Sequence, residues 1–172
     1  MKRNYWASLA MALMLLTLGA TGASAVDLTI ECVQVAPGGT ADVNIEFSET
    51  TTFTGGQFSV GFDDTVLTFN SGSGPATHAL SRVDMPAGST NEVLVVLASM
   101  AGPAAVDVAA TLNFTMAADA VGGATTDIVF TDTSVGFDGG AIAVNYVDGV
   151  VTIVEDPKIT SVVGQNGTMT YN

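Results

Sequence analysis

The side chains that could do chemistry are few and badly placed for catalysis. His78 is the only histidine, and it sits in a stretch rich in Gly, Ser and Pro, where a solvated loop residue is expected rather than a general base. Cys32 is the only cysteine, so no disulfide can form within the chain. It shares alternate spacing with Leu28 and Ile30, which predicts a small buried hydrophobe rather than a reactive thiol. There is no Gly-x-Ser-x-Gly elbow, no phosphate-cradling glycine loop, no His-Glu-x-x-His and no cysteine pair for zinc. Two carboxylates can make a glycosidase, and the 17 acidic residues supply candidates, but nearly all fall on outward strand positions or in turns. Asp63 with Asp64, and Asp132 with Asp138, offer oxygen for calcium, yet neither pair has the spaced Asp/Asn pattern of an EF-hand. Asp63 and Asp64 are expected to cap a turn. The expectation is a protein without enzymatic activity: no catalytic residues, no metal site and no cofactor.

Charge narrows the partners. The 17 acids face only four Lys or Arg, a net charge of -13 at pH 7 with a pI near 4.1. Nucleic acid and anionic lipid both need cationic surface, so neither is an expected partner. At the N-terminus, Lys2 and Arg3 precede an apolar run from Leu9 to Leu18, then small residues ending Ala23-Ser24-Ala25. That order predicts a secretory signal peptide over residues 1–25. Its apolar core is too short to span a bilayer, and no later stretch is long enough, so membrane insertion is not expected. The reading places the protein outside the cytoplasm, secreted or on the cell surface. Loss of the signal removes two of the four cations and leaves Arg82 and Lys158.

Positioning falls to strands. Val43, Ile45 and Phe47 alternate with Asp42, Asn44, Glu46 and Ser48, the pattern of a strand with one wet face. Phe58, Val60 and Phe62 alternate likewise with Gln57, Ser59, Gly61 and Asp63. A longer run sets Val106, Val108, Ala110, Leu112, Phe114 and Met116 against Asp107, Ala109, Thr111, Asn113 and Thr115. Further strands are predicted over 27–35, 66–70, 79–84, 92–99, 126–132, 141–147 and 149–154, with Gly and Pro turns between them. Nine or ten short strands and no helix predict a sandwich or jelly roll over residues 26–154. Glu155-Asp156-Pro157 breaks the pattern, so 155–172 reads as a linker or tail.

One strand departs from alternation. Residues 92–98, Glu-Val-Leu-Val-Val-Leu-Ala, are apolar on both faces, where a two-layer sandwich normally wets one. Either a neighbouring element covers the second face, or that face docks a protein. Carbohydrate is the rival ligand for a small secreted sandwich, but sugar platforms are usually exposed Trp or Tyr. The only tryptophan, Trp6, lies within the signal, Tyr171 in the tail, and Tyr146 stands alone.

The run Gly56-Gln57-Phe58-Ser59-Val60-Gly61-Phe62-Asp63-Asp64-Thr65-Val66-Leu67 resembles the cohesin family. The similarity continues through 92–99, through 106–116 followed by Gly122-Gly123, and ends with Asp148-Gly149-Val150-Val151, covering residues 27–154. The resemblance implies an all-β, nine-stranded jelly-roll sandwich, cohesin-like and similar to some carbohydrate-binding modules, with no catalytic activity. It implies docking of a dockerin-like module in extracellular, polysaccharide-degrading assemblies. The alternative is a surface or matrix structural domain, or a weak carbohydrate-binding module with polysaccharide as partner. By position, the resemblance makes Gln57, Ser59, Leu97 and Ser99 partner-facing. Well-known cohesins carry an Asn and an Asp on the docking strand where this chain has Gly55 and Gln57, so the family's hydrogen-bond pattern does not transfer intact.

Overall fold

The structure, a computed structural model, describes residues 25–155. The expected signal peptide and tail therefore lie outside the described residues, apart from Ala25 and Glu155. The chain forms β1 (Val26–Ile30), β2 (Val33–Val35), β3 (Thr40–Phe53), β4 (Gly55–Phe62), β5 (Leu67–Ser73), β6 (Arg82–Asp84), β7 (Glu92–Ala98), β8 (Ala104–Met116), β9 (Thr125–Phe137), β10 (Val144–Val147) and β11 (Gly149–Ile153). Five strands make one sheet in the order β10-β1-β3-β8-β5. Six make the other, in the order β2-β11-β9-β4-β7-β6. The two pack face to face as the expected jelly-roll sandwich, with alternate side chains of each sheet meeting in one core.

Where alternation was clear in sequence, it sets the inward face. Val43, Ile45 and Phe47 on β3, Phe58, Val60 and Phe62 on β4, and Leu112, Phe114 and Met116 on β8 are all buried. Phe53 and Phe137 pack edge to face with ring centroids 4.9 Å apart, and Phe47 joins them at 5.7 and 5.1 Å. Edge-on contact of this kind suits the ring quadrupoles and adds to the area buried. The Ala-rich stretch after Pro103 is strand, as its β-branched alternation predicts.

Eleven strands form because the expected strand 27–35 divides in two. β1 pairs with β3 in the five-stranded sheet, whereas β2 pairs with β11 in the six-stranded one. Glu31 and Cys32 carry the chain across between the sheets, and Cys32 is exposed. This corrects the expectation of a buried cysteine: its alternation with Leu28 and Ile30 ends where the chain leaves the first sheet.

His78 is the second correction. Expected as a solvated loop residue, it is only 1% exposed. Its Nε2 donates to the Phe53 carbonyl at 3.2 Å, its Nδ1 lies 3.2 Å from the Thr77 hydroxyl, and its ring packs on Phe53 with centroids 4.5 Å apart. The ring closes one end of the core, and its polar edge occupies a backbone acceptor left at the end of β3.

Candidate functional site

The outer face of the six-stranded sheet is built on β4 and β7, which run antiparallel with Gly55 opposite Ala98, Gln57 opposite Val96 and Ser59 opposite Leu94. Directly opposed residues point to the same side of a sheet, so Gln57, Ser59, Leu94, Val96 and Ala98 share the outer face. Val93, Val95 and Leu97 point into the core and are 1% exposed or less. Leu97, expected to face a partner, is thus a core residue, and Ser99 follows it inward at 9% exposed. The Ser99 amide donates to the Thr54 carbonyl at 2.8 Å. The reason for the correction is phase: a shift of one residue moves every side chain of a strand to the opposite face.

Of the four expected positions, Gln57 alone is both outward and accessible. Ser59 points outward by register but is sunk between the flanking strands at 4% exposed. Leu94, Val96 and Ala98, half-buried, supply the apolar surface that the sequence reading assigned to their neighbours. Beside them, the Leu80 amide donates to the Ala98 carbonyl at 3.2 Å, which brings the exposed Leu80 to the end of β7.

On the other flank, β9 runs further than expected, to Phe137, and pairs Gly136 with Gln57 and Phe137 with Gly56. It ends in a tight turn, Asp138–Gly140, in which Asp138 itself adopts φ 47 and Gly139 φ 66. Aspartate tolerates the left-handed region better than most residues because its short side chain can bond locally. Here Asp138 Oδ1 accepts from the amides of Thr54 at 2.9 Å and Gly55 at 3.0 Å, tying this turn to the start of β4.

Between the two flanks lies an open depression of about 320 Å³. Gly55, Gly56, Gly136 and Gly139 leave it without side chains on several sides. Val96 and Val135 form apolar walls, and Gln57 and Asp138 provide the polar ones. At its far edge, beyond β7, Arg82 Nε sits 2.6 Å from Asp84 Oδ2 in an exposed pair. That hydrogen bond, helped by the charge of Asp84, pushes the guanidinium pKa up, and the register sets Arg82 opposite Val96.

Of the four acids considered for calcium, Asp63, Asp132 and Asp138 fasten the backbone, whereas the Asp64 side chain, expected to help cap its turn, makes no hydrogen bond among the described residues. Asp63 Oδ1 accepts from the Thr65 hydroxyl at 2.6 Å and the Thr65 amide at 2.9 Å, and both bonds hold its carboxyl below the usual aspartate range. Asp132 Oδ1 accepts from the Ser134 amide at 2.9 Å and is lowered by the same cause. No group of three or more His, Cys, Asp or Glu is gathered among the described residues. Tyr146 packs edge-on against Phe130 at 4.9 Å, and burial pushes its phenol up. Among the described residues no aromatic ring lies exposed as a flat platform.

Comparison with known proteins agrees with this architecture. The sequence matches the cohesin domain family over residues 26–153. No curated protein matches the chain. Among solved structures it is similar to the sixth cohesin of scaffoldin B from Acetivibrio cellulolyticus, solved in complex with a mutant dockerin, at 20% identity and a TM-score of 0.63, covering 76% of this chain and 99% of that one. It is similar to the seventh ScaB type I cohesin from Pseudobacteroides cellulosolvens at 14% identity and a TM-score of 0.61, covering 80% and 97%. The non-cellulosomal cohesin from the archaeon Archaeoglobus fulgidus aligns at 12% identity and a TM-score of 0.56, covering 77% and 93%. The match spans most of the chain, from the first strand of the sandwich to its last, and the chain belongs to the cohesin domain family.

Proposed function

We propose that this chain is a secreted, non-catalytic docking module that receives a dockerin-like protein on the outer face of β4 and β7. One observation carries the reading: the half-buried Leu94, Val96 and Ala98 form an apolar strip beside Gln57 on an otherwise acidic molecule. Two cohesins of the same fold are solved with dockerins bound, one from Acetivibrio cellulolyticus and one from Clostridium thermocellum, which supports the same class of partner. Gln57 is the accessible polar contact at the centre of the face, with Ser59 a minor one. Leu97 and Ser99 contribute by supporting the strand from below.

Secretion is part of the proposal. The first strand begins at Val26, the residue after the expected cleavage, and the Val26 amide already donates to the Ala143 carbonyl at 3.0 Å. N-terminal sequencing of protein from the culture medium is expected to read Val26-Asp27-Leu28. An extracellular polysaccharide-degrading assembly is the setting that follows from such a partner.

The test is capture of recombinant dockerin modules from the host genome by the wild-type protein and by Val96→Asp. Capture by the wild type, and its loss in a variant that still melts cooperatively as a folded domain, is expected. Capture by no dockerin, together with retardation on a soluble polysaccharide gel, would replace docking by sugar binding.

A further inference from the structure

The depression beside Gly55 has a chemistry that narrows the kind of side chain it takes. Its walls of Val96 and Val135 are apolar, and Val135 is 47% exposed. Gly55 and Gly136 leave the space between them free of side chains, and a Cβ at Gly55 would meet only the Leu97 carbonyl, at 3.1 Å. Asp138 is the only charged residue in the lining, and no lysine or arginine lines it. Asp138 is exposed: its Oδ1 is used by the Thr54 and Gly55 amides, while Oδ2 makes no hydrogen bond among the described residues and is open to a ligand from outside. The Gln57 side chain likewise makes no hydrogen bond among the described residues. Arg82, the only cation among the described residues, is held by Asp84 and does not line the depression.

A long, basic side chain satisfies every one of these features. Its methylene stem fits apolar walls while its head reaches a carboxylate, the way lysine and arginine lie along apolar surfaces. A guanidinium also offers donors for a second acceptor, the Gln57 carbonyl oxygen. We infer that the depression between Val96 and Val135 is a socket for one arginine or lysine side chain projected by the docked dockerin-like module, its cationic head on Asp138. This deepens the docking reading and rests on it. It also gives the recognition a different centre from hydrogen bonding by Asn and Asp on the docking strand, since Gly55 has no side chain to take part.

The experiment has two arms. In the first, amide NMR shifts of the protein are followed during titration with N-acetyl-arginine amide, with N-acetyl-glutamine amide as neutral control. The Thr54 and Gly55 amides, both bonded to Asp138, are expected to shift with the arginine probe alone. The Asp138→Asn variant keeps an oxygen for those amides and a residue tolerant of positive φ, and it is expected to abolish the response. In the second arm, a dockerin captured by the wild type is expected to bind Asp138→Asn about fivefold more weakly at low salt, with the difference closing at high salt.

Absence of a specific shift, or the same shift in Asp138→Asn, overturns the socket. Dockerin capture that persists undiminished in Asp138→Asn also overturns it and leaves docking standing. A specific shift without capture of any dockerin leaves a cation site at Asp138 but overturns the dockerin-like module as the source of its occupant.

Discussion

Gly56 lies against the face of Phe137: a Cβ built on Gly56 would sit 2.3 Å from the Phe137 Cδ1 atom. The two residues are register partners across β4 and β9, and Phe137 is itself wedged among Phe47, Phe53 and Phe58. The ring has no room to retreat, because it is fully buried in that cluster. Gly56→Ala is therefore expected to destabilise the domain by about 1–3 kcal/mol, the usual cost of forcing extra atoms into a packed core. Urea denaturation followed by circular dichroism measures it, and an unchanged midpoint would refute this account of the glycine.

Adjacent residues on β7 separate stability from binding. Leu97→Ala empties core volume and is expected to cost about 2–5 kcal/mol. Val96→Asp places a charge at a half-buried position on the outer face, where it empties no core volume, and is expected to cost about 1 kcal/mol, the span of strand preference between such residues. Thermal melts and dockerin capture, run on both variants, are expected to give a folded non-binder from Val96→Asp and a weakened fold from Leu97→Ala. A Val96→Asp protein that binds as the wild type does would remove β7 from the docking face.

His78 is expected to matter for stability although it performs no chemistry. Replacing it by Ala removes the donor to the buried Phe53 carbonyl and the ring packed on Phe53. An unsatisfied buried carbonyl alone costs about 1–3 kcal/mol. Denaturant titration of His78→Ala checks this, with His78→Phe separating loss of the hydrogen bond from loss of packing. Equal stability of all three proteins would contradict the placement of the ring.

Asp63 predicts an acid limb to the stability curve. Its carboxyl is lowered from the ordinary value of 3.8, first by the Thr65 hydroxyl and then by the Thr65 amide. Because the folded-state value lies below the unfolded one, its stabilisation is fully present above about pH 4, and it is lost as pH falls through the lower folded value. Asp132 acts in the same direction through Ser134. Carboxyl-carbon NMR is expected to show Asp63 titrating below 3.8 and moving up towards it in Thr65→Val. A midpoint in Thr65→Val equal to the wild type would show that the hydroxyl is not the cause.

Much of the architecture was legible in the residues themselves. Strands over most of the chain, the inward phase of Val43, Ile45 and Phe47 and of Phe58, Val60 and Phe62, and the long strand ending Leu112, Phe114 and Met116 all follow from local periodicity. Each strand with one polar face carries its own statement of which side is wet. The family resemblance rests on the same local order of segments, and so does the anomaly of 92–98.

The docking face shows where that information stops. A strand apolar on both sides has no phase, so nothing in Val93 to Ala98 says that Val96 faces out and Leu97 in. That was decided by pairing with β4, which places Val96 opposite Gln57 and Leu97 opposite Gly56. Cys32 and His78 are alike in this respect. One is exposed because the chain changes sheets beside it, and the other is buried because a distant carbonyl at Phe53 needs a donor. Asp138 was visible as one acid among many, yet its place beside Gly55 depends on a contact spanning 83 residues of sequence. By itself the sequence determined which segments are strands and, where polar and apolar residues alternate, which way they face. The tertiary structure decided everything that depends on which strand lies beside which, because a side chain's environment there is supplied by residues remote in sequence.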